Sequence, residues 1–211
     1  MPSGTGMLAN SPRRRMEPVR GDRPKHWLAI GVRGDDYEAV FEAQAAAGHD
    51  VHGEATFVRG FEVRSVLDAG CGTGRVAREL VRHGLDVVGV DVDPEMLKTA
   101  RRIAPNLDWQ LGDLATVDLG RTFDAAVLAG NVMLFVSPGS EGAVVANLAH
   151  HLAPGGLLIA GFQLIPGRLS LDRYDALAGA AGLELAERWA TWDREPWQPG
   201  GDYAVSVHRR A

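Results

Sequence analysis

From Asp35 onward the chain alternates between two spacings of apolar residues, and that alternation limits its fold more than any other feature. Ser65-Val66-Leu67-Asp68-Ala69-Gly70 and Asp86-Val87-Val88-Gly89-Val90-Asp91 are short, Val-rich runs ending in Gly or Asp. Strands buried on both faces read this way, because neither face alternates with polar residues. Between them, Arg75 to His83 places Val76, Leu80 and Val81 on one side and stops at Gly84, which predicts a crossover helix and one βαβ unit. Tyr37, Val40 and Phe41 share a face of an earlier helix that starts near Asp35 and ends at Gly48. Asp93 and Pro94 suit the cap and first turn of a further helix carrying Met96, Leu97, Ala100 and Ile103.

The pattern continues to the end of the chain. Leu107 to Gly112, Phe123 to Ala129 and Leu157 to Phe162 are strand candidates. Helices are expected from Ser137-Pro138 to Leu152 and from Ser170 to Ala181. Leu183 to Trp192 and Tyr203 to Val207, joined by Pro196 to Gly201, predict a closing hairpin. The expectation is an α/β fold: a Rossmann-like, doubly wound, mostly parallel seven-stranded sheet with one antiparallel strand in a C-terminal hairpin. Residues 1–26, rich in Pro, Gly and Arg, read as a flexible arm, and 27–211 as a single domain. Arg13, Arg14 and Arg15 read as solvated charge in that arm.

The alternation leads from fold to function because such a sheet binds ligands outside the carboxyl ends of its strands. Three features collect there. In Asp68-Ala69-Gly70-Cys71-Gly72-Thr73-Gly74 a strand passes through a glycine-dense turn directly into a helix, which lets a ligand lie against backbone N–H groups. Asp91 ends the next strand about 20 residues on, the separation at which a carboxylate accepts ribose hydroxyls. Asp113 follows the third strand, where it can accept from an adenine amino group. Together they describe an adenosine site, and Asp68 selects the compound. A pyrophosphate beside the turn would be repelled by that carboxylate, whereas the ammonium and sulfonium of S-adenosylmethionine would be attracted.

Val66-Leu67-Asp68-Ala69-Gly70-Cys71-Gly72-Thr73-Gly74 resembles the first motif of the class I S-adenosylmethionine-dependent methyltransferases, and the likeness runs from Ser65 to about Phe162. The resemblance implies S-adenosylmethionine as cofactor. Asp68, Gly70, Gly72 and Gly74 would hold its methionine portion, Asp91 and Val92 its ribose, Asp113 and Leu114 its adenine, while Ala129 and Gly130 line the sulfonium side. Leu152-Ala153-Pro154-Gly155-Gly156 is similar to the family's turn before its fifth strand. Two departures narrow the acceptor. Gly130-Asn131-Val132-Met133 stands where amino methylation of DNA bases uses a Pro-Pro-aromatic stretch, and Cys71 lies in the cofactor turn rather than in a Pro-Cys nucleophile motif. A small-molecule acceptor is expected, and no DNA.

Other limits agree with this reading. The net charge of -5 lacks the basic field that nucleic acid or an anionic membrane demands, and the chain has one cysteine. No apolar run is long enough for a membrane span, and Met1 to Arg23 lacks a signal core, so a cytoplasmic location is expected. No His, Asp or Glu spacing predicts a metal site.

His52 and Asp193 are the candidate general bases, although displacement at a sulfonium carbon can proceed by positioning alone. His150 and His151 read as surface residues at a helix end. Tyr37, Asn131, Met133 and Phe135, with Trp192 and Trp197, are the candidate acceptor contacts, edge packing being the competing reading for the two tryptophans. A nicotinamide-dependent oxidoreductase and a non-catalytic S-adenosylmethionine-binding protein are the alternative functions.

Overall fold

The computed structural model describes residues 32–211, so the arm of residues 1–26 lies outside the described residues. Two helices come first, α1 (Asp35–Ala46) and α2 (Gly53–Arg59). The alternating part follows as β1 (Ser65–Ala69), α3 (Arg75–Arg82), β2 (Asp86–Asp91), α4 (Pro94–Ile103) and β3 (Asp108–Leu111). After β4 (Phe123–Leu128) come α5 (Val132–Phe135), α6 (Glu141–His150), β5 (Leu152–Gln163) and α7 (Leu171–Ala180). The hairpin of β6 (Leu183–Trp189) and β7 (Tyr203–Arg210) ends the chain. The seven strands form one sheet in the order β3-β2-β1-β4-β5-β7-β6. β7 runs antiparallel to both of its neighbours, so β6 returns to the direction of the other strands. This is the predicted architecture.

The sheet is covered on both faces, which is why its central strands are largely apolar, Asp68 being a charged residue buried within β1. One core packs beneath α5, α6 and α7 and includes Leu128, Leu148, Leu158, Phe162 and Tyr174. The other packs beneath α2, α3 and α4 and includes Phe57, Leu80, Leu97, Trp109 and Ile159.

α1 is attached differently. Its only buried residue is Glu38, so apolar burial contributes little to its position. Polar anchors hold it instead. Arg78 bonds Glu38 at 2.5 Å, Thr99 donates to Asp35 at 2.5 Å, and the Arg75 guanidinium lies 4.6 Å from the centre of the Phe41 ring. Just before the helix, Arg33 grips both carboxylate oxygens of Asp93 at 2.5 Å. Asp93 also accepts from Glu95 N at 3.0 Å, so it caps α4 as its position beside Pro94 predicts.

Several boundaries differ from the sequence reading. α2 and α5 are additional helices, too short for an apolar period to show. Ser137-Pro138 begins a turn, closed by Ser140 N donating to Ser137 O, and the helix starts only at Glu141. β5 begins at Leu152, paired to Phe123, and passes through a left-handed Gly155 before the long apolar run. β6 ends at Trp189, short of Trp192, and β7 continues beyond Val207 to Arg210. His151 is buried, not on the surface: its Nδ1 donates to Asn147 O at 2.8 Å and its Nε2 accepts from Leu119 N at 3.1 Å.

Candidate functional site

The carboxyl end of β1 is bound to its neighbour before the turn begins, because Gly70 N and Cys71 N both donate to Val90 O, at 2.8 and 2.9 Å. Gly70, Gly72 and Gly74 all have positive φ, which side-chain-bearing residues resist. Their surroundings differ. A Cβ on Gly74 would stand 2.2 Å from Cη2 of Trp109, and one on Gly89 in β2 would stand 2.5 Å from the same ring. The third glycine of the turn therefore gives way to a core tryptophan; the first two line a cavity, where a Cβ on Gly70 would stand 2.7 Å from the Val132 side chain and one on Gly72 3.1 Å from Met96.

That cavity holds about 700 Å³ of empty space, its solvent mouth included. Eight of the ten cofactor residues expected from the sequence line it. Gly70, Gly72, Asp91 and Val92 occupy the middle, Asp113 and Leu114 follow β3, and Ala129 and Gly130 follow β4. Asp91 is fixed by its neighbours: Oδ2 accepts from Gly72 N and Oδ1 from Asp93 N, each at 2.8 Å. Burial raises its carboxyl above the usual range, and the N–H groups of Asp93 and Gly72 oppose that rise. Val92 N–H bonds it as well, so only part of a carboxylate's roughly four acceptor positions remains for ligand hydroxyls.

Asp68 and Gly74 do not line the cavity. Asp68 is buried beneath the turn, where Oδ2 accepts from Ala77 N in α3 at 3.0 Å. Burial pushes its carboxyl up to about 7, opposed by the Ala77 bond and by the nearby Arg75.

Tyr37 lines the cavity, 3.8 Å from where a Gly72 Cβ would sit, so α1 covers the glycine turn. Its phenol is raised above the ordinary range, chiefly by burial. Asn131 and Met133 lie outside the wall. Asn131 adopts a left-handed φ of 68° and accepts from Gln163 N at 2.7 Å, fixing the start of α5 to β5. Met133 is buried in the core, whereas Val132, Phe135, Val136 and Ser137 border the cavity from the same segment. Met96 completes the wall. The sequence does not mark Val132, Val136, Ser137 or Met96 as site residues. Gly130 was the available signal, because a turn after β4 aims whatever follows it at the strand ends.

His52 stands at the start of α2, its Nδ1 3.7 Å from Glu79 of α3, outside the cavity wall. Asp193 is exposed in the β6–β7 loop. The two tryptophans separate to opposite faces of the sheet. Trp192 packs with the core of α2, its ring 5.4 Å from Phe57, and donates to Tyr203 Oη at 3.0 Å. Trp197 packs with the core of α7, and its buried Nε1 lacks a hydrogen-bond partner. These settings predict different outcomes for one substitution. Trp192→Phe removes a donor from a buried phenol and should cost about 1–3 kcal/mol in urea unfolding. Trp197→Phe removes an N–H that is already unsatisfied and should stay within about 1 kcal/mol of the parent. The reverse order would mean that these packing assignments are wrong.

Among the described residues, no group of three His, Cys, Asp or Glu side chains stands close enough to hold a metal ion.

Comparison with known proteins gives the family. A family model described as a methyltransferase domain matches residues 66–156. A solved structure of a TehB-like S-adenosylmethionine-dependent methyltransferase from Corynebacterium glutamicum is 34% identical, with a TM-score of 0.78, covering 84% of this chain and 97% of that one. A dTDP-3-amino-3,4,6-trideoxy-alpha-D-glucopyranose N,N-dimethyltransferase from Streptomyces venezuelae is 34% identical over 60% of this chain and 51% of its own length. The chain thus spans about half the length of that curated relative, and 38% of the mycobacterial methyltransferases that follow it. The S-adenosylmethionine-bound amino pentose methyltransferase CalS10 from Micromonospora echinaspora shares the fold, at 24% identity and a TM-score of 0.68 over 84% of this chain and 98% of that one. This chain belongs to the class I S-adenosylmethionine-dependent methyltransferases.

The residues fit that cofactor. Asp91 and Asp113 lie along one cavity with Gly70 and Gly72 of the turn, and a Cβ on Gly130 would meet nothing within 4 Å, so the space there is open.

Proposed function

We propose that the chain transfers a methyl group from S-adenosylmethionine to a small-molecule acceptor that enters beside Tyr37, Phe135, Val136 and Ser137. The observation that carries this reading is the single cavity that joins Asp113, Asp91, the glycine turn and Gly130. Bound S-adenosylmethionine supplies an activated methyl on a sulfonium. The protein's part is to orient and to exclude water. Asp91 is held rigid to receive the ribose hydroxyls, Leu114 and Val92 flank the base, and Gly70 and Gly72 let the methionine portion lie against backbone. Phe135 and Val136 keep the methyl side apolar, where displacement of a charged leaving group is favoured.

Among the described residues, the titratable side chains of the wall are Tyr37, Asp91 and Asp113. The raised phenol of Tyr37 keeps its proton, so the proposed step is positioning without a dedicated base, and His52 and Asp193 take no part. An acceptor bearing a neutral amine suits such a site. Two relatives named as amino-sugar N,N-dimethyltransferases, at 34% and 29% identity, place amines first in an acceptor screen. A cytoplasmic location and independence from DNA belong to the same proposal, supported by the acidic net charge and the lone buried Cys71. Among the described residues no helix is long and apolar enough to cross a membrane.

Calorimetry with S-adenosylhomocysteine tests the site. Asp91→Ala should weaken binding about ten- to a hundredfold, because the ribose loses a charged acceptor worth about 1.5–3 kcal/mol. Unchanged affinity would remove Asp91 from the site, and tighter binding of NAD than of S-adenosylhomocysteine would favour the oxidoreductase alternative. Release of S-adenosylhomocysteine on adding metabolite fractions separates turnover from mere cofactor binding.

A further inference from the structure

A second cavity adjoins the first, with Val136 in both walls, and it too opens near the carboxyl ends of β4 and β5. It holds about 590 Å³ of empty space, mouth included, between α5, the start of α6 and the connection from β5 to α7. Its charged lining is Arg168, Arg173 and Glu141, an excess of one positive charge.

The hydrogen bonding there is incomplete. Arg168 donates Nη2 to Leu134 O, which braces its guanidinium against α5. Arg173 lies 3.6 Å from Oε2 of Glu141, an ion-pair contact longer than a hydrogen bond, and its side chain is 60% exposed. Oε2 of Glu141 is buried and has no hydrogen-bond partner. The start of α6, which carries Glu141 into the wall, lacks a side-chain cap, since Ser140 Oγ donates to Ser137 O instead.

A braced guanidinium, and a second one held only by a 3.6 Å ion-pair contact to a carboxylate oxygen that has no hydrogen bond, together suit a ligand with several acceptor oxygens and at least one O–H or N–H donor. A phosphate offers three acceptors to forked donors, whereas a carboxylate offers two. We propose that this cavity holds the phosphate of a phosphorylated acceptor, with Arg168 and Arg173 on its oxygens and Glu141 accepting from a neighbouring hydroxyl. The nucleophile of that acceptor then passes Val136 into the cofactor cavity. The inference rests on the methyltransferase reading and adds to it a chemical class of acceptor.

The probe is inorganic pyrophosphate, titrated calorimetrically into the full chain saturated with S-adenosylhomocysteine. Saturable binding is expected, weakened about tenfold or more by Arg173→Gln and weakened by added salt. Arg173 is exposed and outside the cofactor cavity, so the same variant should bind S-adenosylhomocysteine within about twofold of the parent. Arg168→Gln should act in the same direction, its melting temperature being checked because Arg168 also braces α5. No saturable pyrophosphate binding, or equal binding in Arg173→Gln, overturns the inference. Displacement of pyrophosphate by thymidine diphosphate or by glucose 6-phosphate supports it and tells a nucleotide-linked acceptor from a simple phosphate ester, whereas displacement by neither overturns it. Failure of S-adenosylhomocysteine to bind would fell the methyltransferase reading itself. Binding of S-adenosylhomocysteine without pyrophosphate fells only the phosphate subsite.

Discussion

Gly74→Ala should cost about 2–5 kcal/mol in urea unfolding, enough to threaten a domain whose total stability is of the order of 5–15 kcal/mol. Two terms add. At φ 82° an alanine pays about 1–2 kcal/mol for left-handed backbone, and its methyl would lie 2.2 Å from the Trp109 ring, an overpacking worth about 1–3 kcal/mol. Trp109 has little freedom to retreat. Its Nε1 donates to Ala104 O at 2.9 Å, and the ring edge adjoining the Gly74 contact, Cε3 and Cζ3, stands 2.5 Å from where a Gly89 Cβ would be. In a Trp109→Leu background the same substitution should cost only the backbone strain, about 1–2 kcal/mol, because the two residues share one contact. Equal costs in both backgrounds would disprove the packing argument. Since Gly74 is outside the cavity wall, the folded variant should keep its affinity for S-adenosylhomocysteine within a few-fold. A stable variant that had lost the cofactor would instead return Gly74 to the binding site.

Gly74 also shows how far the sequence can be read. The turn was legible because a glycine after a buried strand signals a backbone requirement, but the same signal arises from a ligand's approach and from a tryptophan 35 positions away. Parallel strands were legible because burial on both faces makes them largely apolar, as in Val87 to Val90 and in Val66 to Ala69, which Asp68 alone interrupts. β7 was cut short at Val207 because His208, Arg209 and Arg210 are polar, yet their pairing is backbone pairing and Arg210 bonds the carbonyls of Ala149 and Leu152. α5 had no local signature: Asn131 holds it through Gln163, 32 residues on.

Long-range polar contacts were likewise invisible. Nothing in the spacing of Arg33 and Asp93, or of Arg75 and Glu54, announces that they meet. Trp192 and Trp197 are close in sequence but reach opposite cores, because the loop between them turns through Arg194 in a left-handed conformation. The sequence does not show that Asp68 lies beneath the turn, bonded to Ala77 N, so that any pull on the cofactor's charge has to cross the backbone.

That position should make cofactor affinity depend on pH. In the free protein burial raises the Asp68 carboxyl to about 7, so at pH 6 it is mostly protonated. A cationic ammonium and sulfonium placed across the turn favour the carboxylate, which lowers its pKa in the complex. Binding below pH 7 therefore releases a proton. The affinity for S-adenosylmethionine should rise up to about tenfold per pH unit from pH 5 toward 7 and level off above it. Folding stability responds with the opposite sign. A carboxyl whose folded pKa lies above its unfolded value near 3.9 favours the folded state at low pH, and this contribution fades as pH rises from about 4 to 7. Asp68→Asn should weaken binding and remove the share of both trends that Asp68 carries, leaving the response of Asp91, whose carboxyl is also raised by burial. His208, whose pKa is lowered by burial, acts the other way, costing stability as pH falls below about 6.5, so the stability comparison is made between the parent and Asp68→Asn at each pH. Calorimetry in buffers of different ionisation enthalpy reads the released proton directly. A parent protein that binds S-adenosylmethionine equally well at pH 5.5 and 7.5, without proton release, would show that Asp68 does not sense the cofactor's charge.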